Sequence, residues 1–88
     1  MDMQIAELLD DVTEWFDDHT SYIVEEIAVE LENDYAHIEY YPVDYALQNK
    51  FFDFERELQR AYPDLTIKTG YTSDAIRGED VATLEVYI

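Results

Sequence analysis

Apolar residues recur at three- and four-residue steps near the start of the chain. Ile5, Leu8, Leu9, Val12, Trp15 and Phe16 fall on one stripe, the spacing of an amphipathic helix. With Asp2 as N-cap, this helix is predicted over about 3–18. His19, Thr20 and Ser21 form a break. Residues 22–33 fit two periods. As a helix, Ile23, Val24, Ile27, Ala28 and Leu31 share a face, with Glu25, Glu26, Glu30 and Glu32 outside. As a strand, Ile27, Val29 and Leu31 alternate with Ala28, Glu30 and Glu32, and Asn33-Asp34 turns into a hairpin. The helix is preferred because its apolar arc is cleaner. Tyr35 to Val43 reads as a strand that ends at Pro42. Asp44 caps a helix of about 45–62 whose apolar set is Leu47, Phe51, Phe54, Leu58 and Ala61, closed by Tyr62-Pro63. Leu65 to Thr72 and Val81 to Ile88 are strands, with Ala82, Leu84, Val86 and Ile88 on one face and a loop from Ser73 to Asp80. The expected fold is a single small α+β domain over residues 1–88: two N-terminal acidic helices, a strand, a crossover helix and a C-terminal β-hairpin.

Charge sharpens this picture. Twenty-two Asp and Glu oppose five Lys and Arg, for a net charge of −17. Residues 1–49 hold fourteen of the acids and no Lys or Arg, while the later residues hold all five bases (Lys50, Arg56, Arg60, Lys68, Arg77). The helix at 45–62 mixes both signs, as an ordinary solvated face does. The first helix does not. Glu7, Asp10, Asp11, Glu14, Asp17 and Asp18 fan out opposite its apolar stripe over about 16 Å of axis, at a rise of about 1.5 Å per residue. That is one negative charge per roughly 3 Å, close to the 3.4 Å or so per phosphate along one DNA strand. The arrangement is self-repulsive: Glu7/Asp11, Asp10/Glu14 and Glu14/Asp18 each disfavour the helix by about 0.2–0.5 kcal/mol. Either a surface outside the fold selects for this face, or the chain lives where salt screens it.

Composition excludes several classes. There is no cysteine, hence no disulfide framework or thiolate metal site. No apolar run approaches 18 residues, and the acidic N-terminus is the reverse of a signal peptide's start, so a cytoplasmic location is expected. Hydrophobic content of 48% is that of a folded core, not of a disordered polyanion. Such a surface repels nucleic acid and anionic lipid and attracts basic protein surfaces. Solvated carboxylates do not make the shared, shifted pair that acid/base catalysis needs. The EF-hand pattern is absent, and two glycines leave no phosphate-cradling loop. His19 and His37 lack a cysteine or serine partner in sequence; His19 reads as a cation at the helix's negative end. No enzyme activity, metal or cofactor is expected. Eight tyrosines are more than one core uses, and among the cluster Tyr40, Tyr41 and Tyr45 at least one is expected to meet a partner.

Small size, extreme acidity, no cysteine and an aromatic core together resemble the phage- and plasmid-encoded DNA-mimic inhibitors, which include anti-restriction and anti-CRISPR proteins. That likeness covers the whole chain without a shared motif. A shorter stretch, Ile38-Glu39-Tyr40-Tyr41-Pro42, is similar to the Tyr-Tyr-Pro segment of colicin nuclease immunity proteins, and implies nuclease contact by Tyr40 and Tyr41. The strand-rich C-terminal half departs from that all-helical family. The expectation is a non-enzymatic inhibitor whose acidic residues (Glu7, Asp10, Asp11, Glu14, Asp17 and Asp18, then Glu25, Glu26, Glu30 and Glu32) stand in for phosphates in the basic cleft of a nuclease or other DNA- or RNA-binding protein, with Tyr40 and Tyr41 beside them. The expected location is then the host cytoplasm, without direct nucleic-acid or membrane contact, and a homodimer stays open. Two alternatives share the composition: an antitoxin- or immunity-type inhibitor of a basic enzyme, and a domain adapted to a molar-salt cytoplasm.

Overall fold

Alternation along Tyr35–Tyr41 (β2) sets the layers. Ala36, Ile38 and Tyr40 are buried, while Tyr35, His37, Glu39 and Tyr41 are partly open on the other side. The structure, a computed structural model, describes residues 2–74 and 78–88. Helix α1 spans Met3–His19, β1 Glu25–Leu31, α2 Tyr45–Ala61, β3 Thr66–Asp74 and β4 Gly78–Tyr87. The four strands form one antiparallel sheet in the order β1-β2-β4-β3. Since β2 and β3 both run antiparallel to β4, they are parallel to each other on its two sides, and α2 carries the chain from one to the other across β4.

Both helices pack on one face of the sheet. Ile5, Leu8, Val12, Trp15 and Phe16 from α1 and Leu47, Phe51 and Leu58 from α2 join Ala36, Ile38, Tyr40, Ile67, Ala82, Leu84 and Val86 in one core. An aromatic seam links the layers: Phe51 lies 5.4 Å from Trp15, 5.0 Å from Phe16 and 6.1 Å from Tyr40, centroid to centroid. The caps are those expected. Asp2 accepts from the Gln4 and Ile5 amides, and Asp44 from the Leu47 amide. β2 ends where Pro42 follows, joined to Tyr41 by a cis peptide bond. Side chains of α2 also close the edge of β3: Glu55 accepts from the Thr69 amide at 2.6 Å, and Gln59 accepts from the Ile67 amide and donates to the Leu65 carbonyl.

Three expectations are corrected. Residues 25–31 are a strand, not part of a second acidic helix. The four β-branched residues Ile23, Val24, Ile27 and Val29 favour extended backbone, and Glu32 donates its amide to the Tyr35 carbonyl to close a tight turn at Asn33-Asp34. The sheet accordingly has four strands, not about three. The loop expected from Ser73 to Asp80 is mostly strand, since β3 runs to Asp74 and β4 starts at Gly78; the middle of that stretch, 75–77, lies outside the described residues. Ile88, expected in the last strand on one face with Ala82, Leu84 and Val86, follows the end of β4 and is 66% exposed.

Candidate partner-binding surface

The first helix keeps its acids outside because its stripe is used up by the core. All six carboxylates of α1 (Glu7, Asp10, Asp11, Glu14, Asp17 and Asp18) are exposed. Among the described residues both ion pairs belong to His37, which lies 3.4 Å from Glu39 and 3.4 Å from Glu85, so no described lysine or arginine neutralises the ridge. The ridge has two flanks. Asp11, Glu14 and Asp18 border a groove of about 320 Å³ shared with Glu57 of α2, floored by Trp15 and Phe54. Those two rings stack at 5.1 Å with 12° between planes, and the groove continues past His19, Lys50 and Asp53. On the other flank, Asp17 turns toward β1.

The second acidic set is redistributed by the correction at 25–31. Glu25, Glu26, Glu30 and Glu32 are exposed, but a bulge between Glu26 and Ala28 divides them. Glu26 pairs with Tyr40 and so faces the helices. Glu30 pairs with His37 and faces the open side of the sheet, as Glu25 does opposite Tyr41. Of the three within β1, only Glu26 therefore faces α1. The open side carries its own polar cluster, with Tyr35 stacked on Tyr87 at 5.6 Å, the Tyr87 hydroxyl donating to Glu85, and Lys68 over the Tyr87 ring.

Of the tyrosines offered as contacts, Tyr40 has its ring in the core, 2% exposed and 4.8 Å from Phe16, and reaches only a small cleft beside α1. Tyr41 stays on the open face and is partly exposed. Tyr45, at 79% exposed, lines an apolar groove of about 330 Å³ with Phe52 and Tyr71, floored by Phe51 and Gly70. The sequence signal for that groove was available, since Tyr45 and Phe52 are seven residues apart on α2 and hence on one face. His19 donates its Nδ1–H to the Trp15 carbonyl at 2.8 Å and stacks on the Trp15 ring. Among the described residues no group of three His, Asp or Glu is placed to hold a metal ion, and no helix is long and apolar enough to cross a membrane.

The acid load also acts on the tyrosines. Burial pushes the Tyr40 phenol up, and the Glu26 charge adds to it. Burial, the hydrogen bond to Asp11 and the charges of Asp11, Glu7 and Asp10 push Tyr62 up to about 12. Both groups hold their protons more tightly folded than unfolded. The stability these two groups contribute is therefore fully present below about pH 10, where unfolded tyrosine titrates, and is lost as pH rises beyond it. For Tyr62 that window closes near 12. For buried Tyr40 the loss is about 1.4 kcal/mol per pH unit within its window; for the more open Tyr62 it is smaller because solvent screens it. Urea midpoints measured between pH 8 and 12 check this, and a flat profile above pH 10 would contradict it.

Comparison of the chain with protein-family models, with curated proteins and with solved structures gives no match.

Proposed function

We propose that this protein is a non-enzymatic inhibitor that imitates nucleic-acid phosphates and occupies the basic cleft of a nuclease or other DNA- or RNA-binding protein, in the manner of anti-restriction and anti-CRISPR proteins. The observation that carries the reading is the α1 ridge: six exposed carboxylates on one helix, none of them paired with a described lysine or arginine. A cleft that binds DNA presents many Lys and Arg toward phosphates, and a dense anionic edge engages the same groups. Support also comes from the way α1 is held. A floppy polyanion would lose ordering entropy at each contact, whereas this helix is capped by Asp2 and fixed by five buried side chains.

The exposed groove of Tyr45, Phe52 and Tyr71 favours the second reading, a partner-specific inhibitor of the antitoxin or immunity type, because apolar anchors recognise shape, not charge. One experiment separates the two. The immobilised chain is exposed to host-cell lysate at low salt, and the bound protein is challenged with rising salt and with duplex DNA or RNA. The mimic releases a nucleic-acid-binding protein steeply with salt and yields it to nucleic acid. Retention through both challenges supports the second reading instead. Melting in the same low-salt buffer addresses salt adaptation: a mimic stays folded at about 0.1 M salt, where a halophilic surface is under-screened.

A further inference from the structure

The polar atoms on the β1 flank of α1 are not absorbed by the ridge. A small cleft of about 60 Å³ lies between the C-terminal half of α1 and the start of β1, where Thr13, Asp17, Thr20, Tyr22, Glu26 and Tyr40 meet. Its two carboxylates come from different elements and face one cavity. The Tyr40 side chain is 2% exposed, and its hydroxyl has no hydrogen-bond partner among the described residues. Glu26, its cross-strand neighbour, is near enough for its charge to act on that hydroxyl. The threonine hydroxyls keep accepting capacity: Thr13 donates to the Leu9 carbonyl, and Thr20 accepts from the Tyr22 amide with a lone pair left over. Among the described residues no cationic side chain lines the cavity. The last turn of α1 adds the negative end of its dipole.

A pocket of acceptors around an orphaned phenol is completed by a donor that carries positive charge. We propose that this cleft binds a primary ammonium group, the side chain of a lysine supplied by the protein's basic partner. The inference rests on the reading that the partner is basic, and it names where one cation seats. By the measure in which one water needs about 10–15 Å³, the cavity holds about four to six water-sized groups, enough for an ammonium and its last methylenes. Three N–H donors pointing apart suit acceptors on three sides, whereas a planar guanidinium is matched best by a single flat carboxylate. Two carboxylates and neutral hydroxyls fall short of the oxygen cage that calcium takes.

The test is an NMR titration of the full chain with methylammonium chloride, with tetramethylammonium and guanidinium chlorides at the same ionic strength in parallel. Methylammonium is expected to give saturable shifts centred on Thr13, Asp17, Glu26 and Tyr40. Tetramethylammonium has the same charge without N–H donors and is expected to give none there. Tyr40→Phe keeps the ring and its packing, and is expected to weaken methylammonium about tenfold, as for a lost hydrogen bond to a charged group. Equal response to all three cations, tighter binding of guanidinium, shifts spread evenly along α1, or no saturable shift in the cleft would each overturn the proposal. Because the titration contains no partner protein, the site can fail while mimicry stands, and mimicry can fail while the site binds.

Discussion

Replacing Asp10, Glu14 and Asp17 together by lysine is expected to weaken binding to the target at least about a hundredfold at about 0.1 M salt, while the domain stays folded. A well-placed surface ion pair contributes about 0.5–1 kcal/mol. Reversing one partner removes that attraction and adds a repulsion of similar size, so three reversals cost about 3–6 kcal/mol of binding. The fold has no reason to suffer. The three positions are exposed and make no hydrogen bond to another described residue, unlike Asp11, which accepts from Tyr62, or Asp2, which caps α1. Reversal at position 14 replaces its repulsion toward Asp11 and Asp18 with attraction, and reversal at position 10 does so toward Glu7. Binding measured by calorimetry and folding measured by circular dichroism check the two halves separately. If the triple variant binds at full strength, α1 is not the interface, and contact passes to the apolar groove at Tyr45, Phe52 and Tyr71.

The charge ridge of α1 was legible because two signals agreed: a 3.6-residue apolar stripe and an N-cap aspartate. The same agreement found α2, where Asp44 opens the helix and Pro63 follows its end. β1 was not legible in the same way. Its residues satisfy both periods over one short window, and the choice depends on β2, whose unpaired edge accepts β1's backbone hydrogen bonds. No property of residues 22–33 alone carries that information. The misreading then spread to the site: a helix would have put Glu25, Glu26, Glu30 and Glu32 on one solvent face, whereas the strand with its bulge sends Glu26 toward α1 and Glu25 and Glu30 to the other side. Tyr40 illustrates the same limit. Tyr40 and Tyr41 are equivalent as letters, but strand alternation buries one and opens the other. Which of the two was inside depended on the side of the sheet the helices cover.

Phe51→Ala is expected to cost about 3–5 kcal/mol, because a buried aromatic loses both its transfer free energy and the contacts around the cavity it leaves. A domain of 88 residues, at about 0.05–0.15 kcal/mol per residue, has only about 4–13 kcal/mol in total. The melting temperature should therefore fall by at least about 12 °C, at about 4–8 °C per kcal/mol. The position explains the size of the effect. Phe51 is 1% exposed and touches Trp15 and Phe16 of α1 and Tyr40 of β2, so one ring joins α2 to both the other helix and the sheet. Its neighbour Phe52 is 54% exposed and serves as the control: Phe52→Ala should leave the melting temperature within a few degrees. The pair also bears on function. If rigidity of the α1 ridge matters, Phe51→Ala weakens binding under conditions where it is still folded, because loosening the seam lets α1 move while every carboxylate stays in place. Charge reversal on the ridge acts the other way, removing affinity from a helix whose packing is intact. Should Phe51→Ala melt within about 1 kcal/mol of the unsubstituted chain, the seam is not what fixes α1 to the sheet, and a rigid ridge loses its structural basis.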